Sequence, residues 1–131
     1  MIGPIDLGSN DAGYVAFQTP SGNIMCVIFD EEGLSGARCD IAERSYPDPP
    51  PVDCGEINYT GNTAQVEADS AGSIGACAGD TVFDPGHPVL EYGRNAGIGR
   101  FTCHSAEDGV TCANLSSQHG FRLSRVSYQL F

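Results

Sequence analysis

The residues of this chain best suited to chemistry crowd toward its C-terminal end: His104, Glu107, His119, Arg122 and Arg125. Such a set could move protons and steady a phosphate, as in small acidic secreted ribonucleases, where acid/base side chains flank a cation. The sequence places no two of them within reach of each other. His104 is expected to face outward beside Thr111, and His119, next to Gly120, suits a loop-holding backbone hydrogen bond. Arg122 and Arg125 read as partners of acids in a chain of net charge −11. No G-x-S-x-G segment marks a serine nucleophile, and "SGN" at 21–23 reads as a turn. Asp30, Glu31 and Glu32 adjoin in sequence, and Asp80 and Asp84 flank "TVF", but the D-x-D-x-D-G calcium pattern is missing. Three adjacent acids then read as a solvated loop. No cofactor and no metal ion is expected.

Cysteine is the other reactive type. The chain has six, an even number that leaves no free thiol and reads as a disulfide framework formed outside the reducing cytosol. Zinc is the competing reading, but no two cysteines fall within a C-x2-4-C window, and none of the three histidines has another three to five residues away. Composition agrees with a stapled fold. Gly numbers 17 and Pro 8 in 131 residues, with no Trp, so many short elements around a modest core are expected.

The charge excludes some partners. Only six residues are basic, all arginine, against 17 acids. Nucleic acids need clustered cations, and anionic membrane surfaces would repel the chain. No stretch is long and apolar enough for direct membrane insertion. The start, "MIGPIDLGSND", lacks a basic n-region and an apolar h-region, so Met1 is read as an addition ahead of a mature domain whose signal peptide is absent.

The elements that must position these residues are short. Residues 1–13 read as a flexible lead-in and 14–131 as one domain. "YVAFQTP", "IMCVIF", "ARCDI" and "TAQVEA" have strand character, and "TVF" (81–83) and "VLEYG" (89–93) are predicted as short strands around "DPGHP". "YPDPPPVDCG" can be neither helix nor central strand, because proline lacks the donor and fixes φ. It reads as a surface crossing tied down at Cys54.

Hairpin arithmetic organises the cysteines. If Cys103 faces Cys112, His104 pairs with Thr111 and Ser105 with Val110, leaving "AEDG" as the loop. A two-residue Asp-Gly turn would instead set Ser105 opposite Cys112. Cys26 and Cys39 obey the same parity around "DEEGLS", with Gly33 near the centre. Directly opposed residues on adjacent strands lie within disulfide range. Cys54 and Cys77 are left for each other. The two hairpins also resemble one another: "GNIMC…RCDIAERSY" lies beside "GRFTC…VTCANLSSQHGFRLSRVSY", matching Ile41 with Leu123, Ser45 with Ser127 and Tyr46 with Tyr128. An internal duplication is expected.

Four segments carry a further likeness. "FQTPSGNIMC", "RCDI", "GVTCAN" and "HGFRLSRVSYQLF" resemble a family of exported, cysteine-rich actinobacterial proteins of unknown function. Its pattern runs from F-x-x-P-S-G-N-I-x-C to G-H-G-F-x-L-S-R-x-x-Y-x-x-F and covers roughly residues 15–131. Gln118 departs from it, standing where the pattern usually has Gly, and a tryptophan of the proline-rich middle is missing. The resemblance implies a secreted or lipid-anchored envelope protein and brings no activity, cofactor or catalytic residue.

The expected fold is therefore all-β: a small disulfide-stapled barrel or sandwich built from two pseudo-repeated hairpins. One short helix is an option at the C-terminal end, where Val126 and Leu130 stand at helical spacing after Ser124. The expected function is a secreted or envelope-associated, non-catalytic binding module whose partner is an envelope protein or glycan. Its candidate contact residues are Glu31 and Glu32 in one loop and Gln118, His119 and Arg122 in another. The alternatives are a small ribonuclease-like hydrolase using His104 and His119, and a secreted protease inhibitor presenting a cysteine-braced loop.

Overall fold

A computed structural model describes residues 14–131; the expected lead-in over 1–13 lies outside them. Ten strands follow in order: β1 (Tyr14–Gln18), β2 (Ile24–Glu31), β3 (Leu34–Ile41), β4 (Tyr59–Glu67), β5 (Ser73–Cys77), β6 (Asn95–Ile98), β7 (Phe101–Ala106), β8 (Gly109–Asn114), β9 (Gly120–Leu123) and β10 (Tyr128–Leu130). They form two antiparallel five-stranded meanders, β1-β2-β3-β4-β5 and β10-β9-β8-β7-β6, which pack face to face. The fold is an all-β sandwich.

Alternation decides the faces. On β2, Ile24, Cys26 and Ile28 point inward; on β3, Ala37, Cys39 and Ile41; on β7 and β8, Phe101, Cys103, Val110 and Cys112. Side chains two residues apart share a face, so each hairpin delivers one apolar row to the shared core. Both central rows carry a disulfide. In one sheet Phe17, Cys26, Cys39, Ala64 and Ile74 are register partners. In the other the row is Ala96, Cys103, Cys112, Phe121 and Leu130. The bonds are Cys26–Cys39 and Cys103–Cys112, as the hairpin parity gave, and Cys54–Cys77, the pair left over.

The second hairpin keeps the expected pairs His104 with Thr111 and Ser105 with Val110, and its ladder runs one pair further. Ala106 faces Gly109, so the connection is only Glu107-Asp108, closed by Gly109 at φ 132°.

The duplication is wider than the hairpins, since each sheet repeats the whole meander. Gly22 and Gly99 both take positive φ before the matching strands (74° and 58°). The next residues also match, because Ala42 donates to the Asn23 carbonyl at 2.9 Å and Leu115 to the Arg100 carbonyl at 2.7 Å. Beyond that point the sequence matching fails. Leu123 and Tyr128 lie on β9 and β10, whereas Tyr46 lies in the crossing between β3 and β4. The matched residues are neighbours rather than equivalents: the rings of Tyr46 and Tyr128 meet edge-on at 5.1 Å, and Ser45 donates to the Arg125 carbonyl at 2.7 Å. Burial pushes the Tyr46 hydroxyl up to about 12, and it donates to the Gly61 carbonyl at 2.8 Å.

Two further expectations are corrected. No helix follows Ser124, because residues 120–130 form the β9–β10 hairpin. Ser124 donates its N–H to the Ser127 carbonyl at 2.9 Å and accepts from the Ser127 N–H on its hydroxyl at 3.1 Å, which closes a turn instead of starting a helix. Val126 is left pointing into solvent, so the spacing of Val126 and Leu130 is not a buried helical stripe. Residues 81–83 and 89–93 are not strands either; Val89 makes only an isolated parallel bridge with Gln18. This connection is instead fastened to the outer face of the first sheet. The buried Asp40 carboxylate accepts from Thr81 Oγ1 and the Val82 N–H, both at 3.1 Å, and from Thr63 Oγ1 at 2.8 Å. Arg38 completes the hub with paired 3.1 Å bonds to the same carboxylate.

Candidate functional site

The sandwich has two ends, one built from four connections and the other from five. At the first end lie the β2–β3 turn, the β4–β5 connection, the β6–β7 turn and the β8–β9 connection. Three contacts join them. Arg100 spans to Asp30, Leu115 donates to the Arg100 carbonyl, and the buried Asn114 donates from Nδ2 to the Ala68 carbonyl at 3.2 Å. The same Asn114 accepts on Oδ1 from the N–H groups of Ser116 and Ser117, which fixes the connection that follows it.

Glu31, Glu32, Gln118 and His119 all sit at this end, exposed. Glu31 and Glu32 border a groove of about 490 Å³ together with Glu67, Asp69 and Arg100. Its one cation is already engaged. The Asp30 carboxylate accepts from the Arg100 N–H at 2.6 Å, from Nε at 3.2 Å and from Nη2 at 2.9 Å. Those bonds hold the Asp30 carboxyl down to about 2, against the opposing effect of burial. The groove therefore presents carboxylates around a spent guanidinium.

Arg122 lies at the other end. Its guanidinium reaches the β7–β8 turn, donating to the Asp108 carbonyl at 2.7 Å and to its carboxylate at 2.9 Å. The structure thus separates Arg122 from the other four predicted contact residues. The two histidines are separated as well. His104 shares its register row with Thr111 and Arg122, and His119 sits level with Asn114 and Phe101. That is three residues along the strands and two strands across, about 10 Å in each direction. His104 is pinned through Nδ1 to Asn95 Oδ1. The hydrolase reading needs both imidazoles at one reacting bond, and this geometry does not supply that.

A second cleft, of about 380 Å³, opens at the Arg122 end. It is the topological counterpart of the acidic groove, framed by the β1–β2 turn, the β7–β8 turn and the β9–β10 turn. The chemistry differs. Asn23 stands where the other end has Arg100, and it spends its side chain on Glu43, donating from Nδ2 to the carbonyl at 3.0 Å and accepting from the N–H at 2.9 Å. Among the described residues this mouth has no counterpart of the close Arg100–Asp30 contact. Ser21 brings an exposed hydroxyl, Tyr92 a ring that is 41% exposed, and Arg122 and Arg125 bring charge; the hydroxyls of Thr19 and Ser124 border the cleft but are buried and bonded within their own turns. Arg125 is the loosest of these, with only a 3.8 Å approach to an exposed Glu43. The carboxylates of the mouth, Glu107 and Asp108, are exposed, so no desolvated acid is available for proton transfer.

The profile of a family of unknown function (DUF6636) matches residues 4–131. The chain belongs to this family. No curated protein and no solved structure is matched. The first and last of the segments on which the sequence likeness rests are about a hundred residues apart, and the second cleft is where they meet: Thr19, Ser21 and Asn23 come from "FQTPSGNI", and Arg122, Ser124 and Arg125 from "GFRLSRV". That likeness was the one signal by which Ser21, Asn23 and Ser124 could have been picked from sequence. Tyr92 had none, since it lies in the connection misread as strand. The departure at Gln118 also has a physical meaning in this family member. Gln118 takes φ 66°, the only positive φ on a non-glycine among the described residues.

Proposed function

We propose that this protein is a non-catalytic binding module of an actinobacterial cell envelope, secreted or anchored there, that takes its ligand in the cleft between the β1–β2, β7–β8 and β9–β10 turns. Three disulfides in a small domain are consistent with an oxidising, extracellular setting. The observation that carries the reading is the content of that cleft: an exposed serine hydroxyl, a half-exposed tyrosine ring and an arginine with almost no partner of its own, in a protein otherwise rich in acid. A hydroxyl and an aromatic face suit a sugar, and a loosely paired guanidinium suits a carboxylate or phosphate on it. The ligand class is an acidic envelope glycan.

The test is retention of the oxidised protein on insoluble envelope glycan from an actinobacterium. Wild type should be retained, and Arg125→Ala and Tyr92→Ala should each lose retention, while Glu31→Gln/Glu32→Gln at the opposite end should keep it. Retention that survives both cleft substitutions, or no retention of the folded wild type, defeats the proposal.

A further inference from the structure

The two hairpin disulfides do not merely line the same core; they touch. Cys39 Sγ lies 3.6 Å from Cys112 Sγ across the interface between the sheets, and the sulfurs of Cys26, Cys39 and Cys112 all fall within 4.8 Å of one another. Cys103, bonded to Cys112 at 2.10 Å, lies just outside that mutual spacing, and all four sulfurs are fully buried. We propose that in the reduced chain this quartet is a site for a soft metal ion, zinc being the natural candidate, with Cys26, Cys39, Cys112 and Cys103 as thiolate ligands.

The argument is geometric. A tetrahedral zinc with Zn–S bonds of about 2.3 Å sets its sulfurs about 3.8 Å apart. The contact between the sheets already has nearly that spacing. Within each hairpin, opening the disulfide lets the two sulfurs move apart by side-chain rotation alone, because the ladder on either side holds Cys26 opposite Cys39 and Cys103 opposite Cys112. The ligands come from four strands of two sheets, so an ion would replace both staples with one crosslink. The usual sequence signature, paired cysteines two to four residues apart, is not needed when strand register brings them together.

The chemistry balances as follows. A trialkylphosphine and a water molecule reduce each disulfide, giving two thiols and the phosphine oxide. Three equivalents therefore reduce the three disulfides, two of them freeing the four core thiols, and a divalent ion then binds those four sulfurs as four protons leave. Affinity should accordingly rise with pH. A reducing cytosol supplies the same state through dithiols before export.

Cobalt(II) is the probe, added anaerobically to the phosphine-reduced protein. One ion per chain is expected, with intense sulfur-to-metal charge-transfer absorption and recovery of β-sheet circular dichroism on binding. Cys54→Ser/Cys77→Ser should keep the signal, and Cys39→Ser/Cys112→Ser should lose it. Because the latter variant can fail to fold, wild type in concentrated urea is the second arm. If the chain in urea binds cobalt as tightly as the chain in buffer, or if the signal disappears with Cys54→Ser/Cys77→Ser instead, the proposal is overturned.

Discussion

Gln118→Gly should stabilise the protein. Gln118 sits in the β8–β9 connection with φ 66°, and its N–H donates to the Asn114 carbonyl at 2.8 Å. An L residue in the left-handed region carries a steric cost of roughly 1–2 kcal/mol, from its Cβ against the following carbonyl. Glycine escapes that cost but loses about 0.5–1 kcal/mol through its freer unfolded state. The glutamine side chain is exposed and makes no hydrogen bond among the described residues, so nothing else is given up. The net expectation is a gain of about 0.5–1 kcal/mol. Unfolding entropy of about 2.1 cal/mol/K per residue makes that a rise in Tm of about 2–4 °C for a chain this long. Thermal unfolding of the oxidised protein, followed by circular dichroism with urea titration alongside, measures it. Gln118→Ala is the control, since it keeps the Cβ and should leave Tm unchanged. A glycine variant no more stable than wild type, with the alanine variant unchanged, would refute the backbone argument. A loss in both would mean that the glutamine side chain contributes.

The Asp30–Arg100 contact predicts an acid response. The Asp30 carboxyl is held down to about 2 by Arg100, so its contribution is complete above its ordinary value near 4 and is lost as pH falls from there toward 2. Asp30→Asn should flatten that part of the stability curve measured by urea titration across pH, and an unchanged slope would count against the contact. The disulfides should also reduce in a set order. Cys54 is half-buried and Cys77 exposed, whereas the four core cysteines have no exposure, so graded dithiol treatment with alkylation and mass spectrometry should label Cys54 and Cys77 first. Equal labelling of all six would show that reduction proceeds through global opening.

How much of this was legible beforehand depended on whether the cause was local. The disulfide pairing was legible because hairpin register is a matter of parity. Once Cys103 faces Cys112, the alternation of faces leaves few options, and the same holds for Cys26 and Cys39. All-β architecture followed from β-prone runs broken by Gly and Pro. The C-terminal helix was misread because Val126 and Leu130 have helical spacing, while the turn that Ser124 and Ser127 close is a side-chain preference equally compatible with a cap. "TVF" was misread because an apolar run in a connection can be pinned by a distant acid, here Asp40, and "VLEYG" because a single backbone bridge to Gln18 holds it without a ladder.

By itself the sequence determined the strands that pair with their neighbours, the three covalent staples and the acidic surface, since each of these rests on nearby residues or on composition. Only the tertiary structure decided which turns share an end of the sandwich. It put Arg122 opposite Glu31 and Glu32, brought "FQTPSGNI" and "GFRLSRV" to one cleft, and stacked Cys39 on Cys112. The physical reason is that packing two twisted sheets fixes which loops become neighbours. That packing is set by the whole apolar face at once, a sum over the core that no window of the chain contains.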